Sequence, residues 1–222
     1  MTQPIQESID RNTRHKCKAI SCNNPRYNLS GYCKAHFKKN DLYGDPNGKS
    51  LRKSEYRKEF EEVSEIITSN INHIATQTVL KFIQSWLDRA SSGQPCVMAS
   101  EIARLARADI SALDLLLEAS AIFLFSQRNP KSLPDDVRLS YQIGIAILRL
   151  AEQFTYTASN GNKAHRKPSG TDRKAIGKYL RESIGLFLFN VTAAINKRDQ
   201  DEQDFREKLW TPLDSTSITT NY

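Results

Sequence analysis

A chain of 222 residues with 39% hydrophobic and 9% aromatic side chains can bury one sizeable core with an appendage, or two small cores, and is not disordered throughout. Its formal net charge of +7 favours a polyanionic partner. The absence of any run of about 18 apolar residues, and of an apolar signal core in MTQPIQESIDRNTRHK, points to a cytoplasmic protein without a membrane partner.

The first chemistry in chain order is the stretch CKAISCNNPRYNLSGYCKAHF, which holds Cys17, Cys22, Cys33 and His36. Two close pairs of soft or borderline ligands joined by a loop are what a tetrahedral Zn²⁺ requires. Asn23, Asn24, Pro25, Asn28, Ser30 and Gly31 supply turn chemistry for that loop. Cys33 and His36 share a face if a helix begins near Tyr32. His15 is a second imidazole close by, but His36 completes the paired spacing better. So polar a segment has no apolar core in which to hide three thiols, and a disulfide would leave one over. The fourth cysteine, Cys96, lies far downstream, so the set is no secreted disulfide framework either. With all four positions filled by protein, the single zinc expected here is structural, with no open site for a catalytic water.

The run CKAISCNNPRYNLSGYCKAHFKKNDLYGDP resembles a small zinc module common in bacteriophage proteins and in HNH-type homing endonucleases. The matching positions are Cys17, Cys22, Gly31, Tyr32, Cys33, His36, Phe37, Gly44, Asp45 and Pro46. The resemblance implies an accessory to a DNA-acting protein, and host-cell cytoplasm if the chain is phage-encoded. It covers about thirty residues and lacks the catalytic half. Beyond Pro46 only His73, in an amphipathic helical pattern, and His165, in a polar loop, remain.

From Lys49 onward the periodicity is helical. Phe60, Val63, Ile67, Ile71, Ile74, Val79, Phe82, Ile83 and Trp86 recur near helical spacing up to a stop at Ser91-Ser92-Gly93. A short segment over 100–107 and the apolar DISALDLLLEASAIFLF follow. A helix starting near Pro134-Asp135-Asp136 is expected to run through VRLSYQIGIAILRLAEQF, with Gly144 permitting close packing. TASNGNKAHRKPSGTD reads as a polar loop, and Thr171 as the N-cap of the last long helix. DSTSITTNY has no pattern and reads as a disordered tail. The expected fold is mainly α: a treble-clef-like zinc module with a flexible N-terminus over 1–48, an all-α bundle of five or six helices over 49–210, and a tail over 211–222. No strand is expected outside the module.

The helical order ALDLLLEASAIFLF, SYQIGIAILRLAEQF, a basic loop and RKAIGKYLRESIGLFLF resembles the N-terminal domain of single-subunit phage-type RNA polymerases. That likeness implies an accessory subunit needing a catalytic partner, since the polymerase aspartates have no room here. Positive charge is uneven: thirteen Lys/Arg against three acidic residues from Arg11 to Lys58, and seven against one from Lys163 to Arg181. Arg14, Lys16, Lys18, Arg26, Lys34, Lys38 and Lys39 are candidate phosphate contacts, with Tyr27, Tyr32, Phe37 and Tyr43 interleaved among them. Arg166, Lys167, Arg173 and Lys174 form a second candidate surface. Tyr32 and Phe37 read better as a small core around the metal than as stacking platforms.

No phosphate-binding glycine loop occurs, and Cys96 beside an apolar run reads as packed, not nucleophilic. The function expected is nucleic-acid binding, DNA in particular, in phage transcription or replication. A protein–protein adaptor, including the polymerase-subunit version, and a degenerate nuclease are the alternatives.

Overall fold

A computed structural model of the chain describes residues 3–210 apart from Ala158 and Asn160; for Phe154, Tyr156 and residues 163–166 and 207–210 it describes the backbone alone. The expected tail over 211–222 lies outside the described residues. The fold is mainly α, in the order α1 Gln3–Thr13, α2 Lys34–Tyr43, α3 Arg57–Ser69, α4 Ile74–Ser91, α5 Ala99–Arg107, α6 Ala112–Arg128, α7 Asp136–Leu148, β1 Phe154–Thr157, β2 Lys163–Arg166 and α8 Gly170–Trp210. No described helix is long and apolar enough to cross a membrane.

The long apolar pattern expected over 49–93 divides into α3 and α4. The side chain of Asn70 donates to the Ile66 carbonyl, and His73 caps α4 by accepting from the Ala75 N–H. Local polar bonds of this kind compete with continuing the helix. The break turns α4 back so that Val63 and Ile67 of α3 and Ile83 and Trp86 of α4 enter one core. His73 is therefore a cap, not a member of a helical stripe.

α6 is the central helix and is buried on nearly every side, as an all-round apolar helix must be. Ser111 starts it through a reciprocal capping pair with Asp114. α7 and α8 lie against each other at backbone distance. A Cβ on Gly144 would collide with the Arg173 carbonyl, and one on Gly177 with the Ser140 carbonyl. The close packing expected of Gly144 is thus present and is matched by a second glycine from the facing helix.

Two boundaries differ from the sequence expectation. α7 stops at Leu148, not near Phe154, because the buried Arg104 of α5 donates to the carbonyls of Leu148, Ala151 and Glu152. The chain beyond forms an antiparallel hairpin, Phe154 opposite Arg166, where a loop was expected. α8 is capped by Ser169, whose hydroxyl accepts from Asp172 N while the Asp172 carboxylate accepts from Ser169 N, and not by Thr171. At the other end α8 continues to Trp210.

Candidate metal centre and basic face

Lys16 and Pro25 form a single antiparallel bridge, with Cys17 N donating to Asn24 O and Arg26 N to His15 O. The loop between them turns at Ser21 (φ 62°), so that Cys22 comes back beside Cys17. Asn28 (φ 49°) and the Tyr27–Tyr32 backbone bond turn the chain again and deliver Cys33 at the N-cap of α2. His36 follows on the same helix one turn later. The four ligand atoms, three Sγ and one imidazole nitrogen, all lie within 4.8 Å of one another.

The spacings suit one tetrahedral ion. His36 Nδ1 is 3.4 Å from both Cys17 and Cys33 Sγ, and Cys22 and Cys33 Sγ are 3.9 Å apart. Bonds of about 2.3 Å to sulfur and about 2.0 Å to nitrogen would place such atoms roughly 3.5–3.8 Å apart. A disulfide needs sulfurs at about 2.05 Å, so Cys22 and Cys33 are arranged for a shared ion instead. Backbone N–H groups of Ala19 and Cys33 point at Cys17 Sγ, the outer hydrogen bonding that steadies a thiolate ligand. The Cys33 thiol is held below its ordinary range, first by the His36 N–H at the start of α2. Cys22 is pulled down by the Asn24 N–H, but loss of water and the neighbouring thiols outweigh it and raise the group.

Little else holds this segment together. Its buried hydrophobic set is Cys17, Ala19 and Cys33, with Cys22 and Tyr32 packed against them, separate from the large core of the bundle. Tyr32 thus lies in the small core, whereas Phe37 is 40% exposed and meets Tyr27 ring to ring at 5.7 Å. His15 is exposed and does not belong to the ligand group. The expected flexible N-terminus includes α1, which is tied to the knuckle: Asn12 donates to the carbonyls of Asn28 and Ser30 and accepts from Arg26.

The segment docks on the bundle through α2 and the turn after it. Gly170 lies so close to Asp41 that a Cβ would strike the Asp41 carbonyl. Arg173 donates to Leu42 O, Asp45 pairs with Arg138 at 2.8 Å, and the buried Gln142 bonds both Lys49 O and Leu51 N. The stretch GDPNGKS is therefore fastened to α7 at both ends.

Among the predicted phosphate contacts, Arg14, Lys16, Lys18, Lys34, Lys38 and Lys39 are exposed. Arg26 is half-buried and structural, bonded to Lys16 O and Asn12. Lys167 and Lys174 are exposed near the start of α8, while Arg173 is half-buried at the joint with α2. The Arg166 side chain lies outside the described residues. Of the residues weighed for catalysis, Cys96 packs against the main core and His73 caps α4. The side chain of His165 lies outside the described residues.

No family model, curated protein or solved structure matches this chain.

Proposed function

We propose that the protein is a non-catalytic nucleic-acid-binding protein, with DNA as its polymer and phage transcription or replication as its setting, built around one structural zinc ion. The observation that carries this reading is the docking of α2 on the start of α8. It joins the basic segment around the Cys17, Cys22, Cys33 and His36 cluster to the basic segment around Lys167 and Lys174, more than a hundred residues later in the chain. Zinc suits three thiolates and an imidazole at tetrahedral spacing better than a hard, oxygen-seeking cation does. The ion would replace the apolar core that the segment lacks and hold its lysines in fixed register for phosphates.

An anisotropy titration of metal-quantified protein with duplex and single-stranded DNA, at two salt concentrations, tests it. One zinc per chain and binding that weakens steeply with salt are expected. Cys33→Ser should remove both the metal and the binding. One zinc with no binding to any nucleic acid would refute the reading.

A second reading has an observation of its own. Leu186 and Phe189, one turn apart on α8, are 77% and 60% exposed, as a protein–protein adaptor or accessory subunit of a phage-type RNA polymerase would require. Association through that face would be nearly insensitive to salt and would be lost in Leu186→Ser with Phe189→Ser. The third reading, a degenerate HNH-type nuclease, predicts DNA cleavage with a divalent cation.

A further inference from the structure

A cleft of about 500 Å³ opens where the C-terminal end of α7, the hairpin and the start of α8 meet. Its volume falls within the roughly 300–1,000 Å³ typical of small-ligand sites. Two arginines, Arg149 and Arg173, line it together with Gln153 and Thr155, and Ile145, Leu148, Ala151 and Pro168 give it an apolar floor. Glu152 is the carboxylate among the lining residues.

Several arginines of the bundle are paired directly with carboxylates. Arg104 pairs with Glu101, Arg128 with Glu62 and Asp199, Arg138 with Asp45, Arg181 with Asp136, and Arg198 with Glu65. Arg149 and Arg173 make no ion pair among the described residues. They are instead held by neutral groups: Arg149 donates to Leu51 O at 2.7 Å and faces the Tyr56 hydroxyl at 3.4 Å, and Arg173 donates to Leu42 O at 3.1 Å and lies over the Tyr43 ring at 5.9 Å. A guanidinium has more N–H donors than these bonds use. Carboxylates lie behind both, Glu118 on the far side of the Tyr56 hydroxyl from Arg149 and Asp41 acting with Arg173 on Tyr141, but neither pairs directly with the guanidinium. Two oriented guanidiniums with donors to spare above an apolar floor are suited to an anion joined to a flat, weakly polar group.

We propose that this cleft binds a phosphorylated nucleoside, with the phosphate on Arg149 and Arg173 and the base against Ile145, Leu148 and Pro168. The ligand is either one unit of a single strand or a free nucleotide. In the first form the proposal rests on the nucleic-acid reading above, because Arg173 joins the cleft to α2 and a strand lying on the basic face would reach it.

The test titrates full-length, zinc-loaded protein with dTMP, with thymidine, and with a thymidine trinucleotide with and without a 5′-phosphate, following amide chemical shifts. Gln153→Glu places a negative charge in the cleft at an exposed position outside any helix or strand, so its fold should be unaffected. Arg173→Gln removes one guanidinium, and Lys81→Gln on the exposed side of α4 is the control. Phosphate-dependent shifts at Leu148, Gln153 and Thr155 are expected, with affinity weakened by at least about tenfold in Gln153→Glu and unchanged in Lys81→Gln. Binding of the trinucleotide but not dTMP assigns the site to a strand, and equal binding of both assigns it to a free nucleotide. Binding of dTMP by a protein that ignores every oligonucleotide would uphold the cleft while sinking the nucleic-acid reading. No phosphate-dependent shift with any probe, or binding that is indifferent to Gln153→Glu, would overturn the proposal even if long DNA still binds.

Discussion

Glu118 is 3% exposed in the middle of α6, yet it accepts from Lys53 at 2.7 Å and from the Tyr56 hydroxyl at 2.8 Å. A buried carboxylate is tolerated only when so satisfied. Burial, and then the Glu118 carboxylate, push the Tyr56 hydroxyl well above its ordinary value of 10.0. The sign follows from linkage: the unfolded chain releases this proton near pH 10 and the folded chain does not, so the contribution is complete below pH 10 and is lost as pH rises above it. Tyr56→Phe should therefore flatten the fall in stability above pH 10, while costing about 1–3 kcal/mol at neutral pH because Glu118 loses a donor. Urea denaturation at neutral and alkaline pH measures both. Gln142→Leu should cost a similar amount, about 1–3 kcal/mol, since it strands Lys49 O and Leu51 N. Its particular signature is faster proteolysis at residues 45–50, where the joint between α2 and α7 would loosen.

At the scale of elements, two joints decide the arrangement. The crossing of α7 on α8 depends on Gly144 and Gly177, neither of which has room for a methyl group. Gly177→Ala should destabilise the bundle by about 3 kcal/mol and lower the melting temperature by roughly 6–12 °C. The same change at Gly185 on α8, where a Cβ would meet nothing, should be neutral or slightly stabilising. The metal segment behaves differently, because its buried set is three small residues and its ligands. Chelation should unfold residues 14–43 and expose their many Lys and Arg bonds to trypsin. Far-UV helicity from α3 to α8 should persist, since those helices share a separate core. Loss of the bundle signal on chelation would mean that the joint carries more of the stability than its bonds suggest.

At the scale of the whole molecule, charge is arranged in two ways. Within the bundle, carboxylates compensate arginines across helix contacts, as at Arg128 between α3 and α8 and Arg198 beside Glu65. Across the α2 and α8 joint the lysines stay exposed. If phosphates are the partner, each lysine neutralised should contribute to the slope of log affinity against log salt. Lys34→Gln with Lys38→Gln should reduce that slope by about 2 without changing the zinc content. Anisotropy across a salt series measures it.

Much was legible along the chain because it is decided by local spacing. Two close ligand pairs with turn residues between them specify a metal cluster whatever surrounds it, and Cys17, Cys22, Cys33 and His36 do converge. Helical periodicity located α5 to α8 and the stretch that becomes α3 and α4, though not the break between those two, because an apolar stripe needs only one neighbour to bury it. What the sequence alone determined is therefore the cluster of four candidate ligands, the mainly α class and the need for a close approach at Gly144. Tertiary structure decided the rest. α7 ends at Leu148 because an arginine from α5 takes that residue's carbonyl and those of Ala151 and Glu152 just beyond it, and no local pattern announces a donor arriving from more than forty residues away. Along the chain Gln142 is one polar residue in a helical pattern, and only the fold brings Lys49 and Leu51 onto it. Arg149 and Arg173 face one cleft only because Gly144 and Gly177 let two helices touch, and a contact between distant segments is invisible to spacing along either one.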